Sequence, residues 1–226
     1  MRGYGFANKE HKTAVEPTSL FRLGSLSKTI TAVAVLQLVQ AGRLNLDDPV
    51  LPILGDVGPR ADRITDVRVR DIRVRHLLQH SGGFDREQSG DVVFMPRAAE
   101  AARRQGGPLP PDCPTILRDT LERKLDFTPG TRFAYSNVGY CILGRVVERV
   151  TGSPYEAHVR QHVLAPAGAT RMKVGHTLQP AEGEVAYFNG RPQDKNGFRG
   201  DVDRGLWAAK SKVKRWPAGD LFPGKP

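Results

Sequence analysis

The sequence predicts a mixed α/β (α+β) domain, and three observations carry the prediction. A 17-residue stretch from Ser25 to Ala41 is apolar on most of its faces and stops at Gly42, the pattern of a buried helix with a glycine just past its end. A second helix is written over Val138–Val150, where Ile142, Val146 and Val150 recur at helical spacing and Arg145, Glu148 and Arg149 point away. Around them lie short segments of strand character, at 3–8 and 18–23.

In chain order, 3–8 reads as a strand, and 18–23 as a second one or as the approach to the first long helix. Leu44–Val50 turns into a short element, and Val67–Arg70 with Arg73–Arg75 alternates like a strand with one wet face. His76–His80 is a short helix ended by Ser81-Gly82-Gly83, with both histidines near the favourable end of its dipole. Residues 85–112 mix charge, glycine and proline and read as an exposed insertion or lid. Ile116–Leu125 is helical. Ser153-Pro154-Tyr155-Glu156 has the letters of a capping box and starts a helix that runs to about Leu164. Residues 1–190 form the folded domain. The 191–226 tail, dominated by Gly, Pro, Lys and Arg, is expected to be poorly ordered.

Composition excludes several classes. The chain has 226 residues and a net charge of +10, but its arginines are dispersed and few aromatics lie among them, so nucleic acid is not the expected partner. No apolar run is long enough to span a membrane. Cys113 and Cys141 follow no metal-type spacing and read as unpaired thiols, Cys141 in the core. His158 and His162 lie one helical turn apart, but Val159 stands where a His-Glu-x-x-His site has its glutamate, so a solvated face is expected and no metal. No phosphate loop, dinucleotide fingerprint or Gly-x-Ser-x-Gly elbow occurs, and no cofactor is expected.

The chemistry begins at Gly24-Ser25-Leu26-Ser27-Lys28. Residues three apart share a helix face, which aims the Lys28 amine at the Ser25 hydroxyl. A serine is a weak nucleophile until an adjacent group takes its proton. Ser211–Lys214 repeats the spacing, but Trp216 and Pro217 follow and no helix can continue. Two alternatives stay open: Ser25 or Ser27 merely caps the helix, and Lys28 reaches to water.

A second set precedes the other strong helix, in Phe133-Ala134-Tyr135-Ser136-Asn137. A phenol can relay a proton when nearby cations favour its ionised form. An amide can hold a lysine and bind a substrate carbonyl. The plainer alternatives are Asn137 as an N-cap and Tyr135 as a packing residue. Tyr187-Phe188-Asn189 has the same letters but leads into Gly190 and Pro192.

Phe21–Thr29 resembles the active-site segment of the class C β-lactamase-like serine hydrolases, a superfamily with penicillin-binding DD-peptidases and related esterases. Leu36–Val50, Arg75–Phe84, Pro129–Gly152 and Leu164–Met172 continue the likeness in order, over roughly residues 3–190. The resemblance implies a helical subdomain packed on an antiparallel sheet, incomplete here, with the site between them. It implies acyl transfer to Ser25, with Lys28 as base or proton shuttle, Tyr135 as second general base and Asn137 as the substrate-positioning residue. The implied partner is a small ester or amide: a β-lactam, a small ester or a D-amino-acid peptide. It leaves the oligomeric state open.

The family's third motif, Lys-Thr-Gly or His-x-Gly on a late strand, is not legible. Lys173-Val174-Gly175 and Gly175-His176-Thr177 look similar but follow Met172 too closely. The likeness fades after Asn189 and lacks the family's leading helix, so the chain reads as truncated at both ends. The loss of one oxyanion donor costs about 10²- to 10³-fold in rate, and a catalytically dead fragment that only binds ligand is the alternative expectation. Met1–Phe6 has no apolar signal core, which makes the cytoplasm the default compartment, although family members often work outside it.

Overall fold

In a computed structural model, the structure describes residues 2–93, 96–109, 111–175 and 180–187. The 191–226 tail and the two decoy sites at Ser211–Lys214 and Phe188–Asn189 lie outside them.

The chain opens with a hairpin. Strand β1 (Phe6–Asn8) pairs antiparallel with β2 (Thr13–Ala14). The Asn8 side chain caps the turn by accepting from the N–H groups of Glu10 and His11. Of 18–23 only Leu20 joins a ladder, in a parallel bridge to Glu184, so this segment is an approach to the helix. Ala186 donates to Ala7, which lays 184–186 along the hairpin. The expected antiparallel sheet is therefore present among the described residues as a two-stranded hairpin.

Helices make the rest: α1 (Ser27–Gln40), α2 (Val50–Leu54), α3 (Val74–Leu78), α4 (Arg86–Ser89), α5 (Pro96–Gln105), α6 (Cys113–Leu121), α7 (Asn137–Thr151) and α8 (Tyr155–Val159). Helix α7 is the axis. Its Ile142, Leu143, Val146 and Val147 are fully buried, and it touches α1, α2, α3, α6 and α8. The same cluster takes Val35 and Leu38 from α1, Leu54 from α2, Leu77 from α3, and Leu117 and Leu121 from α6. Gly152 ends α7 at φ 71°, the left-handed turn only glycine adopts cheaply. Helix α1 is less enclosed than its apolar sequence suggests, with Val33 and Leu36 exposed.

Four local readings need correction. The Val/Arg alternation at 67–75 is not a strand: Val67–Asp71 is a 3₁₀ turn and Val74 starts α3. Asp66 caps that turn by accepting the Arg68 N–H, and Val69, Ile72 and Val74 are buried while Val67 stays open. The capping box at Ser153 does not form; Pro154 precedes α8, and the Tyr155 N–H is taken by Glu148 from the previous helix. The chain nonetheless continues in a π-helical turn to Leu164. His158 is buried rather than solvated and packs its ring against His162. Finally, Cys113 and Cys141 are not free thiols: they form a disulfide, Cα–Cα 6.0 Å, because the first turn of α6 lies against the second turn of α7. Linear spacing carries no trace of that crossing.

Residues 85–112 hold α4 and α5. Ala101 and Ala102 of α5 are fully buried, and α5 packs on α6.

Candidate active site

Gly24, at φ 54°, turns the backbone into a 3₁₀ turn (Gly24–Leu26) that runs straight into α1. Ser25 sits in this turn with its hydroxyl exposed. Neither Ser25 nor Ser27 caps the helix: no side chain does, and the Ser27 hydroxyl donates to the Gly24 carbonyl. Lys28 does not reach to water either. Its Nζ donates to Ser25 Oγ at 3.3 Å and to Asn137 Oδ1 at 2.6 Å.

The second set arrives from the turn before α7. Ser136 is the N-cap, accepting the Gly139 N–H at 3.1 Å, which leaves Asn137 as the first helical residue with its amide free for other work. Asn137 Nδ2 donates to Asp91 Oδ2 at 2.6 Å, so the amide is held from both sides: its oxygen by Lys28, its nitrogen by Asp91. Tyr135 OH donates to Ser25 Oγ at 2.7 Å. All four residues singled out by sequence thus meet within hydrogen-bond reach.

The electrostatics separate two neighbouring tyrosines. Burial pushes the Tyr135 hydroxyl up, but contacts with Lys28 and Ser25, and the charges of Lys28 and Arg86, outweigh it and hold Tyr135 below the ordinary tyrosine value. The Lys28 ammonium lies 4.9 Å from the Tyr135 ring centre and the Arg86 guanidinium 5.1 Å. Tyr140, half-buried and beside Tyr135, is pushed the other way by that burial and donates to the Leu78 carbonyl. Of the two, Tyr135 is the one held below the ordinary tyrosine value.

Three groups escaped the sequence reading. Asp91 falls in the stretch read as an insertion, and nothing in its spacing points to Asn137. Arg86, in the same stretch, lies over the Tyr135 ring. His80, by sequence a dipole partner at a helix end, lies against the ring of Tyr135 at 4.6 Å and accepts the Ser136 N–H at 3.1 Å. Its φ of 55°, unusual for a histidine, was the only signal, and it belongs to the backbone.

Ser25, Lys28, Asn137, Tyr140 and Cys141 line a cleft of about 820 Å³, large enough for a small ligand. Lys173, Val174 and Gly175 form part of its rim, and the Val174 N–H is taken by Glu156 at 3.2 Å.

The fold is that of the β-lactamase/transpeptidase-like proteins. The chain belongs to the β-lactamase family, whose family model matches residues 1–223. It is 32% identical over 195 residues to the esterase EstB of Burkholderia gladioli, covering 85% of this chain and 47% of EstB. Among solved structures it is similar to an octameric penicillin-binding protein homologue from Pyrococcus abyssi (TM-score 0.64, 29% identity, 87% of this chain and 42% of that one). It is also similar to a D-stereospecific amidohydrolase from Streptomyces (TM-score 0.60, 30% identity, 80% and 52%). The chain spans less than half the length of the curated relatives it matches.

Proposed function

We propose that the cleft performs acyl transfer to Ser25 followed by hydrolysis, on a small ester or amide. The observation that carries this reading is the pair of contacts on one oxygen: Ser25 Oγ lies 2.7 Å from Tyr135 OH and 3.3 Å from Lys28 Nζ. With Tyr135 as phenolate, the 2.7 Å contact reverses and the serine O–H donates to it. Ser25 Oγ then attacks the carbonyl carbon, and the displaced electron pair forms an oxyanion. As the oxyanion collapses, the carbon–leaving-group bond breaks, and the proton from Ser25 passes through Tyr135 or Lys28 to the leaving alcohol or amine. Water repeats the sequence on the acyl-serine ester, releases the acid and restores the hydroxyl. Lys28 holds positive charge beside the phenolate, and Asn137 fixes Lys28.

Similarity to an esterase and to a D-stereospecific amidohydrolase supports an ester or a D-amino-acid amide. A second reading is ligand binding with little turnover, since the Lys-Thr-Gly or His-x-Gly motif is not legible in the chain. The two are separated by steady-state assay of the purified chain with p-nitrophenyl acetate, nitrocefin and D-alanine p-nitroanilide, each beside Ser25→Ala. Turnover of one substrate, abolished in Ser25→Ala, supports hydrolysis; a single stoichiometric burst without turnover supports the second reading; turnover that survives Ser25→Ala overturns both.

A further inference from the structure

The contacts around His80 are more elaborate than a helix end requires. The His80 carbonyl accepts the Ala134 N–H at 2.8 Å, and its ring Nδ1 accepts the Ser136 N–H at 3.1 Å. These are the two residues that flank Tyr135. The imidazole also lies on the Tyr135 ring at 4.6 Å and on the Tyr140 ring at 5.1 Å, with Phe133 edge-on at 5.7 Å. One residue therefore grips the tyrosine from both sides along the backbone and supports its face. The grip requires the His80 backbone to sit at φ 55°, a conformation that costs energy in any residue but glycine and is cheapest in Asn, Asp and His.

We propose that His80 is the positioning residue of this site: it clamps Ala134 and Ser136 so that Tyr135 is held against Ser25, and protonation of its ring opens the clamp. The proposal rests on the reading of Tyr135 as the proton relay. An imidazole that accepts at Nδ1 carries its proton on Nε2 and is neutral. Addition of a second proton turns Nδ1 into a donor facing the Ser136 N–H, and two donors repel. It also places a positive charge beside Lys28, the charged group that faces His80 from α1; the other titratable groups against the ring are Tyr135, in the turn before α7, and Tyr140, in the first turn of α7. Burial, with Lys28 second, keeps His80 below the ordinary histidine value, so the clamp is closed at neutral pH and opens on the acid side.

The test pairs two variants of the full chain. His80→Asn keeps an acceptor near the Nδ1 position and tolerates the positive φ, but does not titrate. His80→Phe keeps a ring and loses the acceptor. Nuclear magnetic resonance of the wild type, titrated between about pH 4 and pH 8, is expected to show the Ser136 amide and the Tyr135 ring moving with the His80 midpoint. In His80→Asn that movement is lost. In a fluorophosphonate labelling assay at pH 8, His80→Asn is expected to label at close to the wild-type rate. The His80→Phe rate falls about 10- to 100-fold, the range for one orphaned buried donor. A Ser136 amide that ignores the His80 titration, or Asn and Phe variants that label alike, overturns the proposal. If His80→Phe does not fold, the titration of the wild type and His80→Asn decides alone. If the titration behaves as expected and no form labels at any pH, the clamp stands and the reading of Ser25 fails.

Discussion

The substitution Asp66→Asn tests the account of how the site's loops are anchored. Asp66 is buried, and its two oxygens accept from four donors: the Arg68 N–H at 3.0 Å, Arg68 Nε at 3.0 Å, Arg68 Nη2 at 2.6 Å and the Leu125 N–H at 3.0 Å. The last of these reaches 59 residues along the chain and pins the start of the loop that delivers Tyr135. Arg68 adds to the same knot by donating to the Leu125 carbonyl. Asparagine keeps the shape and one acceptor, but sets an NH₂ against a donor and leaves Arg68 without its counter-ion. One charge-assisted hydrogen bond to a buried N–H, plus part of a half-exposed ion pair, comes to about 3 kcal/mol. For a chain of this size that lowers Tm by about 6–12 °C. Urea unfolding followed by circular dichroism at pH 7 measures it.

The same residue predicts a pH dependence whose sign can be worked out. The Arg68 hydrogen bonds, aided by the Leu125 and Arg68 N–H groups against the opposing effect of burial, hold the Asp66 carboxyl down to about 2, against an ordinary 3.8. The folded value is the lower one, so the unfolded chain takes up the proton first as pH falls. The stabilisation is complete above the ordinary value and is lost as pH falls from about 4 through about 2. The gap between wild type and Asp66→Asn is therefore expected to narrow over that window. A gap below about 0.5 kcal/mol at pH 7, the size of an ordinary surface substitution, refutes the reasoning; so does a gap of equal size at both ends of the window.

Three further outcomes follow from particular contacts. Leu143→Ala, at a fully buried position on α7, is expected to cost about 2–5 kcal/mol in the same unfolding assay. Tyr135→Phe removes the hydroxyl 2.7 Å from Ser25 and is expected to slow fluorophosphonate labelling by about 10²- to 10⁴-fold, the range for a proton-transfer group, with the circular dichroism spectrum unchanged. Cys113 and Cys141 are expected to resist alkylation until reduced. Reduction opens a loop with a sequence separation of 28 and lowers stability by about 3.6 kcal/mol in the chain-entropy account, read as a difference between denaturation midpoints with and without reductant.

Much of this was legible in the chain, and the limits are physical. Helices α1 and α7 announced themselves because each buries a stripe at helical spacing and ends at a glycine, and the bounds differ by a residue or two. Ser25 and Lys28 were legible because the 3₁₀ turn that holds Ser25 runs straight into α1, which holds Lys28, so over three residues sequence spacing is spatial spacing. Tyr135 and Asn137 were legible as a pair, but their approach to Ser25 came only through the resemblance, since 110 residues separate Tyr135 from Ser25. Pairwise crossings were not legible at all. The disulfide depends on where α6 meets α7, and Asp91 on where its segment passes the first turn of α7. The 67–75 segment misled because a 3₁₀ turn capped by Asp66 can hide alternating valines as well as a strand can. At Ser153 the local signal was correct for an isolated helix, and a glutamate from the preceding helix displaced it.

The most direct measurement is intact mass of the purified chain after incubation with a fluorophosphonate, with Ser25→Ala beside it. The account predicts one adduct per chain, mapped by peptide sequencing to Ser25 and absent from the alanine variant. An adduct retained by Ser25→Ala, or none on a wild-type chain shown to be folded, contradicts the claim that Tyr135 and Lys28 activate Ser25.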